Sequence, residues 1–416
     1  MMVLKVREAM KKILLYRWNA LNEEALYENL IKLGLDVTVF DEKCEDYMFD
    51  GELSRKMIFF INENHIDTVI SFNFLPVISL ICEACGTDYY SWGYDSPMLS
   101  VYAKCSPVVT NKIALFDRRE VEFLNAIGLE NVYHVPLAVD TDKYDERLKR
   151  GINRGSRLFS GKMPDVSFVG SMYTDERKNN LYDVFHEKAA KKGEDSTAWS
   201  QLDGLIESCA FNYETGLIDY DLSDVYDFLK PYMLEAKMGF GDNYFDVEEI
   251  IMREGVLEKK VTQFERLKLM TAIADAGKLK GFDFGLFTTS KTTGLGNLDG
   301  CNRGPVDYKD EMPFVFNQSK INLHITLRSI HTGIPLRVFD VLGCGGFLLT
   351  NAQEEILESF GDGVHLAVYK TPEECIDKIS YYLSHEEERQ KIALEGKKRV
   401  KELFSYEKGI KKLLKL

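Results

Sequence analysis

Apolar positions along this chain follow two periods, and the two alternate. KILLY (12–16), DVTVF (36–40) and DTVISFN (67–73) are short apolar or β-branched runs of strand length. ALNEEALYENLIKLG (20–34), residues 53–64 and Pro76 to Cys85 carry apolar residues at three-and-four spacing and predict helices. DYYSWGYDSP (88–97) predicts a strand and a loop, and VVTNKIALFD, a helix to Gly128 and NVYHVPLAVD continue the alternation. Such alternation predicts an α/β fold with a parallel, doubly wound sheet. We expect a first domain over 1–155, with GINRGSRLFSGK (151–162) as linker, and a second over 156–405 opening on DVSFVGSMYTDERKN. Residues 181–275 show few strand signals and predict a helical insertion in the second domain, open to three roles: packing, acceptor recognition or a homodimer surface. FDFGLFT (282–288) returns to strand. Near the end, Thr371 to Glu374 is a capping box with Pro372 first in the helix, Ser384 and Glu387 form another, and Ser405 starts a last helix.

The most informative stretch is KINLHITLRSIHTGIPLRVFDVLGCGGFLLTN (320–351). INLHI predicts a buried strand, TLRSIHTG a polar loop, and Pro335 the first residue of a helix with Leu336, Val338, Phe339 and Leu342 on its apolar face. Gly343, Gly345 and Gly346 end it, and FLLT predicts the next strand. The loop lies where open α/β sheets bind ligands. Arg337 and Asp340, three apart on one helix face near its positive end, suit phosphate oxygens and ribose hydroxyls. The alternative is an ion pair on a solvated face.

GIPLRVFDVLGCGGFLLTN resembles the donor-site segment of the GT-B glycosyltransferases called glycosyl transferases group 1, closest to the spore-maturation, CgeB-type branch, whose SWGYDSP-like signature also recurs here. The resemblance implies two Rossmann-like domains facing a cleft, with the final helix (406–416) crossing back to the first, and a hexosyl transfer from a nucleotide-sugar, UDP-linked by preference, to a glycan, protein or small-molecule acceptor. In that family the helix carries a Glu-x7-Glu motif; Asp340 matches the second acid, while Thr332 stands at the first. The donor-binding residues it implies are Gly170, Ser171 and the basic Arg177 (or Lys178) after the first strand, Gly304 and Pro305 beside the base, and Thr326, Gly333, Ile334, Arg337 and Asp340. It implies helix dipoles and basic side chains on the diphosphate, hence no metal and no cofactor besides the co-substrate; no HExxH is present. Candidate bases are Asp95, alternatively a turn-capping Asp, and then His331; His65, His134 and His324 read as structural. A non-catalytic sugar- or partner-binding GT-B protein and a nucleotide-sugar epimerase remain alternatives, since both would need the same donor motif.

Composition narrows the partners. The 416 residues hold 45% hydrophobic and 28% charged residues with a net charge of −14, ordinary for a globular protein. Residues 1–150 contain 17 basic against 24 acidic residues and the rest 35 against 42, so neither half carries the basic footprint of a nucleic-acid binder. The Lys/Arg-rich end reads as a solvated helix face. No apolar run predicts a transmembrane segment, and no signal peptide is evident. Eight scattered cysteines, including Cys82 and Cys85 within one helical run, fit reduced thiols in a cytoplasmic protein.

Overall fold

The structure, a computed structural model, describes residues 11–416 apart from 154–155, 157, 159–160, 175–180, 195, 214–215, 237–242 and 246. Residues 154–155, 157 and 159–160 of the expected linker, and the charged loop bearing Arg177 and Lys178, lie outside the described residues.

The first compact unit comprises Met1–Ala138, Phe240–Phe245 and Phe404–Leu416. Its strands are β1 (Lys12–Tyr16), β2 (Asp36–Phe40), β3 (Thr68–Phe72), β4 (Asp88–Trp92), β5 (Asn111–Leu115) and β6 (Val132–His134). They pair in parallel in the order β2-β1-β3-β4-β5-β6. Helices α1 (Glu23–Lys32), α2 (Gly51–Asn64), α3 (Pro76–Cys85) and α4 (Arg118–Ala126) connect them. Asp50 and Asp117 cap α2 and α4 by accepting backbone N–H bonds. Ile13, Leu15, Ile70, Phe72 and Trp92 of the sheet pack against Leu26 and Leu30 of α1.

The second unit comprises Val139–Gly239 and Asp246–Leu403. Its start at Val139 precedes the expected boundary near 155, because α5 (Thr141–Arg150) places Tyr144 against this unit's own helices. Strands β7 (Val166–Val169), β8 (Phe284–Phe287), β9 (Ile321–His324), β10 (Leu348–Asn351) and β11 (Ala367–Tyr369) form a second parallel sheet, β11-β10-β9-β7-β8. The stretch between β7 and β8 is helical, as its spacing predicts: α6 (Leu181–Lys192), α7 (Ser196–Cys209), α8 (Ser223–Glu235), α9 (Glu248–Ile250) and α10 (Glu258–Lys280), with a wider π-helical turn at Ile251–Leu257. It does not stay wholly within the second unit. Lys104 N–H donates to Asn243 O at 2.9 Å and Phe245 N–H to Tyr102 O at 2.9 Å, which pins this short segment to the first unit's loop.

The remaining helices are α11 (Met312–Gln318), α12 (Leu336–Gly343), α13 (Glu354–Ser359), α14 (Pro372–Ser384), α15 (Glu386–Leu403) and α16 (Tyr406–Leu414). Thr371 caps α14 and Ser405 caps α16. Ser384 does not cap α15: its hydroxyl donates back to Tyr381 O at 2.8 Å and closes α14 instead. Helix α16 completes the first unit's core with Ile410 and Leu413. Its Gly409 sits so near Trp92 that an added Cβ would lie 2.4 Å from the indole. Among the described residues no helix is long and apolar enough to cross a membrane. All eight cysteines are free thiols, and Cys82 and Cys85 both lie on α3.

Candidate functional site

In the second sheet the strand order reverses direction between β7 and β9, and the loops leaving those two strands diverge at their carboxyl ends. In doubly wound sheets that divergence is the ligand crevice. Gly170 and Ser171 leave β7; Thr326 and the loop to Ile334 leave β9. Gly170 keeps its backbone close to Phe168, whose ring an added Cβ would meet at 3.2 Å. One buried cation ties the two loops together. Arg266 of α10 donates to Ser171 O and, at 2.6 Å, to Ile325 O, and its guanidinium lies over the rings of Phe168 and Tyr173.

The loop after β9 is fastened at several points. Thr326 N–H donates to Asn351 Oδ1 at 2.8 Å. Arg328 N–H donates to Thr262 Oγ1 at 2.9 Å, and the Arg328 side chain donates to Cys209 O, Asn212 O and Glu265 Oε1. The helical insertion therefore packs directly onto this loop through the end of α7. Gln353 Nε2 donates to Ile330 O at 2.9 Å and reaches Gly333 O at 3.5 Å, while Ile334 is buried beneath the loop. Thr332, at the position where an acid was expected, donates its hydroxyl to Glu355 Oε1 at 2.9 Å.

His331 is buried between two carboxylates. Its Nε2 is 3.9 Å from Glu254 Oε1 and its Nδ1 is 4.0 Å from Glu258 Oε1. Glu254 belongs to the π-helical turn, a geometry common at functional sites. Burial pushes the Glu258 carboxyl up to about 8, with His331 pulling it down and Glu254 adding to the rise. Neither Glu258 oxygen has a hydrogen-bond partner among the described residues.

Helix α12 begins at Leu336. Pro335, expected as the first helical residue, is instead the N-cap in extended backbone (φ −64°, ψ 148°), so the helix starts one residue later than expected. Arg337 and Asp340 do pair, at 3.0 Å, but not on a solvated face: the Asp340 side chain is 2% exposed and that of Arg337 27%. The Tyr144 and Tyr308 hydroxyls donate to Asp340 Oδ1 at 2.7 and 3.0 Å. Burial raises the Asp340 carboxyl, against the pull of Arg337 and the two hydroxyls. Asp340 is thus filled by protein donors, and it orients Arg337, which lies over the Phe316 ring. Burial and the nearby Arg266 and Arg337 depress His324 well below its ordinary value, so it is a neutral core histidine. Gly304 takes a left-handed φ of 70° and donates its N–H to Asn302 Oδ1 at 2.8 Å, followed by exposed Pro305.

On the first unit, Asp95 lies beyond the carboxyl end of β4. It accepts from Asn73 Nδ2 at 2.7 Å. Crowding by protein raises its carboxyl and the Asn73 bond lowers it. The residue is nonetheless solvent-exposed, so water screens part of that crowding. The bond shown to the Asp95 carboxylate comes from a side chain and not from a turn amide, unlike those to Asp50 and Asp117. His65 ends α2 in left-handed backbone, and His134 Nε2 lies 3.1 Å from Phe116 O. Two Asp-x-Asp triplets occur in the chain, and both are used structurally. Asp140 caps α5 while Asp142 pairs with Lys401; Asp219 and Asp221 accept backbone N–H bonds from Gly216 and Ser223.

Residues 269–415, which hold α12 and the β9 loop, match the family model described as Glycosyl transferase-like. No curated protein matches the chain in sequence. Among solved structures, the glycosyltransferase from Rickettsia africae ESF-5 is similar with a TM-score of 0.52 at 10% identity, over 97% of each chain. The sucrose-phosphate synthase from Thermosynechococcus elongatus is similar with a TM-score of 0.51 at 9% identity, over 97% of this chain and 98% of that one. The fold is GT-B.

Several residues of this GT-B site were not singled out from the sequence. Glu258, Glu265 and Arg266 stand on the stripe of α10 that also carries Val261, Leu269 and Ile273. Charged residues at apolar positions of a buried helix are themselves a signal, since they must be paired. Asn73, Tyr144 and Tyr308 left no such trace.

Proposed function

We propose that the chain is a glycosyltransferase that takes a nucleotide-sugar, UDP-linked by preference, on its second unit and an acceptor on its first. The observation that carries this reading is the fastened crevice at the β7/β9 divergence in a GT-B fold, within or beside the segment matching the glycosyl transferase-like family. Ser171, Gly333 and Ile334 offer backbone to the diphosphate, and Arg337 offers a guanidinium held in place by Asp340. Gly304 and Pro305 flank the base. Asp95 accepts the acceptor's proton as the sugar passes to its oxygen, and the leaving diphosphate needs no divalent metal. His331, held between Glu254 and Glu258, is a donor-side contact rather than the first choice of base, because its ring is buried. We further place the chain nearest the CgeB-type branch, on its SWGYDSP segment, as a hexosyltransferase working in the cytoplasm on a glycan, protein or small-molecule acceptor.

The deciding experiment is a thermal-shift and calorimetric screen against UDP, GDP, ADP and their sugars, followed by analysis of products with and without candidate acceptors. A ligand that binds only the native state raises the melting temperature with occupancy. Acceptor-dependent release of nucleoside diphosphate supports transfer. Isomerised donor formed without acceptor identifies an epimerase, and binding without turnover a sugar-binding protein.

A further inference from the structure

We propose that Asn73 is the positioning residue of Asp95, holding its carboxylate in place and in the ionised form. The inference rests on the reading of Asp95 as the base. Asn73 directly follows β3, the strand neighbouring β4, and its backbone is fixed on both sides. Its N–H donates to Trp92 O at 2.9 Å, and its carbonyl accepts from the Ser71 hydroxyl at 2.9 Å. It adopts a left-handed φ of 55°, which Asn and Gly tolerate better than other residues.

The side chain then joins two consecutive residues of the opposite loop. Oδ1 accepts from Tyr94 N–H at 2.8 Å, and Nδ2 donates to Asp95 Oδ2 at 2.7 Å. Because a backbone N–H can only donate, Oδ1 must face Tyr94, which leaves the NH₂ facing the carboxylate. One amide thereby sets both the path of the loop and the aim of Asp95. The loop is further held at Gly93, where an added Cβ would lie 2.2 Å from Met98 Cε. No helix N-terminus or cation accounts for this arrangement: the bond from Asn73 is the one side-chain hydrogen bond shown to the Asp95 carboxylate among the described residues. Asn73 is 9% exposed, so the donor is shielded from competing water while Asp95 itself meets solvent.

The geometry gives Asn73 two separable effects on a base. It restricts where the carboxylate points, and it favours the charged form over the protonated one. Removing the amide should lower kcat by about ten- to a hundred-fold, a scale typical of a misplaced catalytic group, and leave donor affinity unchanged. It should also move the acid limb of the kcat profile to higher pH, because the carboxyl then loses its proton later.

The test uses the full chain and two variants. Asn73→Asp keeps an acceptor for Tyr94 N–H and replaces the donor to Asp95 by a second carboxylate; its acid limb should rise furthest. Asn73→Gly keeps the left-handed backbone and removes the amide; its limb should rise less. Asp95→Asn serves as the reference. An acid limb unmoved in both Asn73 variants, with kcat falling only as far as melting temperature and folded fraction fall, overturns the positioning role while Asp95→Asn remains inactive. Wild-type turnover in Asp95→Asn overturns the base reading and this inference with it.

Discussion

Arg328 and Glu265 form a buried ion pair in which Nε lies 3.0 Å from Oε1 and the Glu265 side chain has no exposed surface. The pair joins the loop after β9 to the middle of α10, and Arg328 also satisfies the Cys209 and Asn212 carbonyls at the end of α7. Loop, helix and insertion are therefore held by a single guanidinium. Glu265→Gln or Arg328→Ala should cost about 3–5 kcal/mol, because each strands a buried charge. Denaturant unfolding measures this, and a loss below about 1 kcal/mol would show the pair to be solvated. Replacing both residues by apolar ones of similar size should cost less than either single change.

Arg337→Ala should weaken binding of a nucleoside diphosphate much more than of the nucleoside, by about 1.5–3 kcal/mol for a lost charged hydrogen bond. Titration calorimetry with both ligands reads the difference. Equal affinities in variant and wild type would remove Arg337 from the diphosphate site. Asp340→Asn should reproduce part of the effect, since Asp340 aims Arg337 through its 3.0 Å contact.

Glu258 makes stability depend on pH in a direction set by its burial. Its folded-state carboxyl is raised to about 8 from the ordinary 4.5. A raised carboxyl binds its proton more tightly in the folded chain, so that contribution is complete at low pH and is lost as pH rises through the interval between those values. His331, Glu254, Arg253 and Arg328 are the charged neighbours that share the titration. Glu258→Gln, which cannot ionise, should gain melting temperature relative to wild type progressively from pH 5 to pH 8. Parallel melting curves across that range would place the carboxyl outside the proposed environment.

Turnover with nucleotide-sugar should survive EDTA. Both Asp-x-Asp triplets are engaged in caps, turns and an ion pair, and among the described residues no cluster of three or more His, Cys, Asp or Glu is placed to hold a metal ion. Complete loss of activity in EDTA, restored by Mn²⁺, would place a divalent cation on the diphosphate.

The sequence by itself determined the alternation of strand and helix, because short, mostly apolar strands of three to five residues and helices at three-and-four spacing each bury one local pattern. It also located the helix with Arg337 and Asp340, the loop before it, the helical insertion, the α14 cap at Thr371 and the α16 cap at Ser405, all of which are written in contiguous residues. Two of its misses were local ones of competing partners, since Pro335 precedes its helix and Ser384 bonds back into the helix it ends, whereas the unit boundary at Val139 and the assignment of Phe240–Phe245 to the first unit were set by packing. What only the tertiary structure decided is who meets whom across long separations. Asp340 receives hydroxyls from Tyr144 and Tyr308, Arg266 joins loops after two different strands, Arg328 crosses to the insertion, and Asn73 reaches Asp95 from the next strand. The Arg266 and Asn73 contacts depend on parallel strand order, which brings distant carboxyl ends together; the others depend on how helices and loops pack against one another. A hydrophobic period records which face of an element is buried, but it carries no record of which polar group on another element will stand opposite.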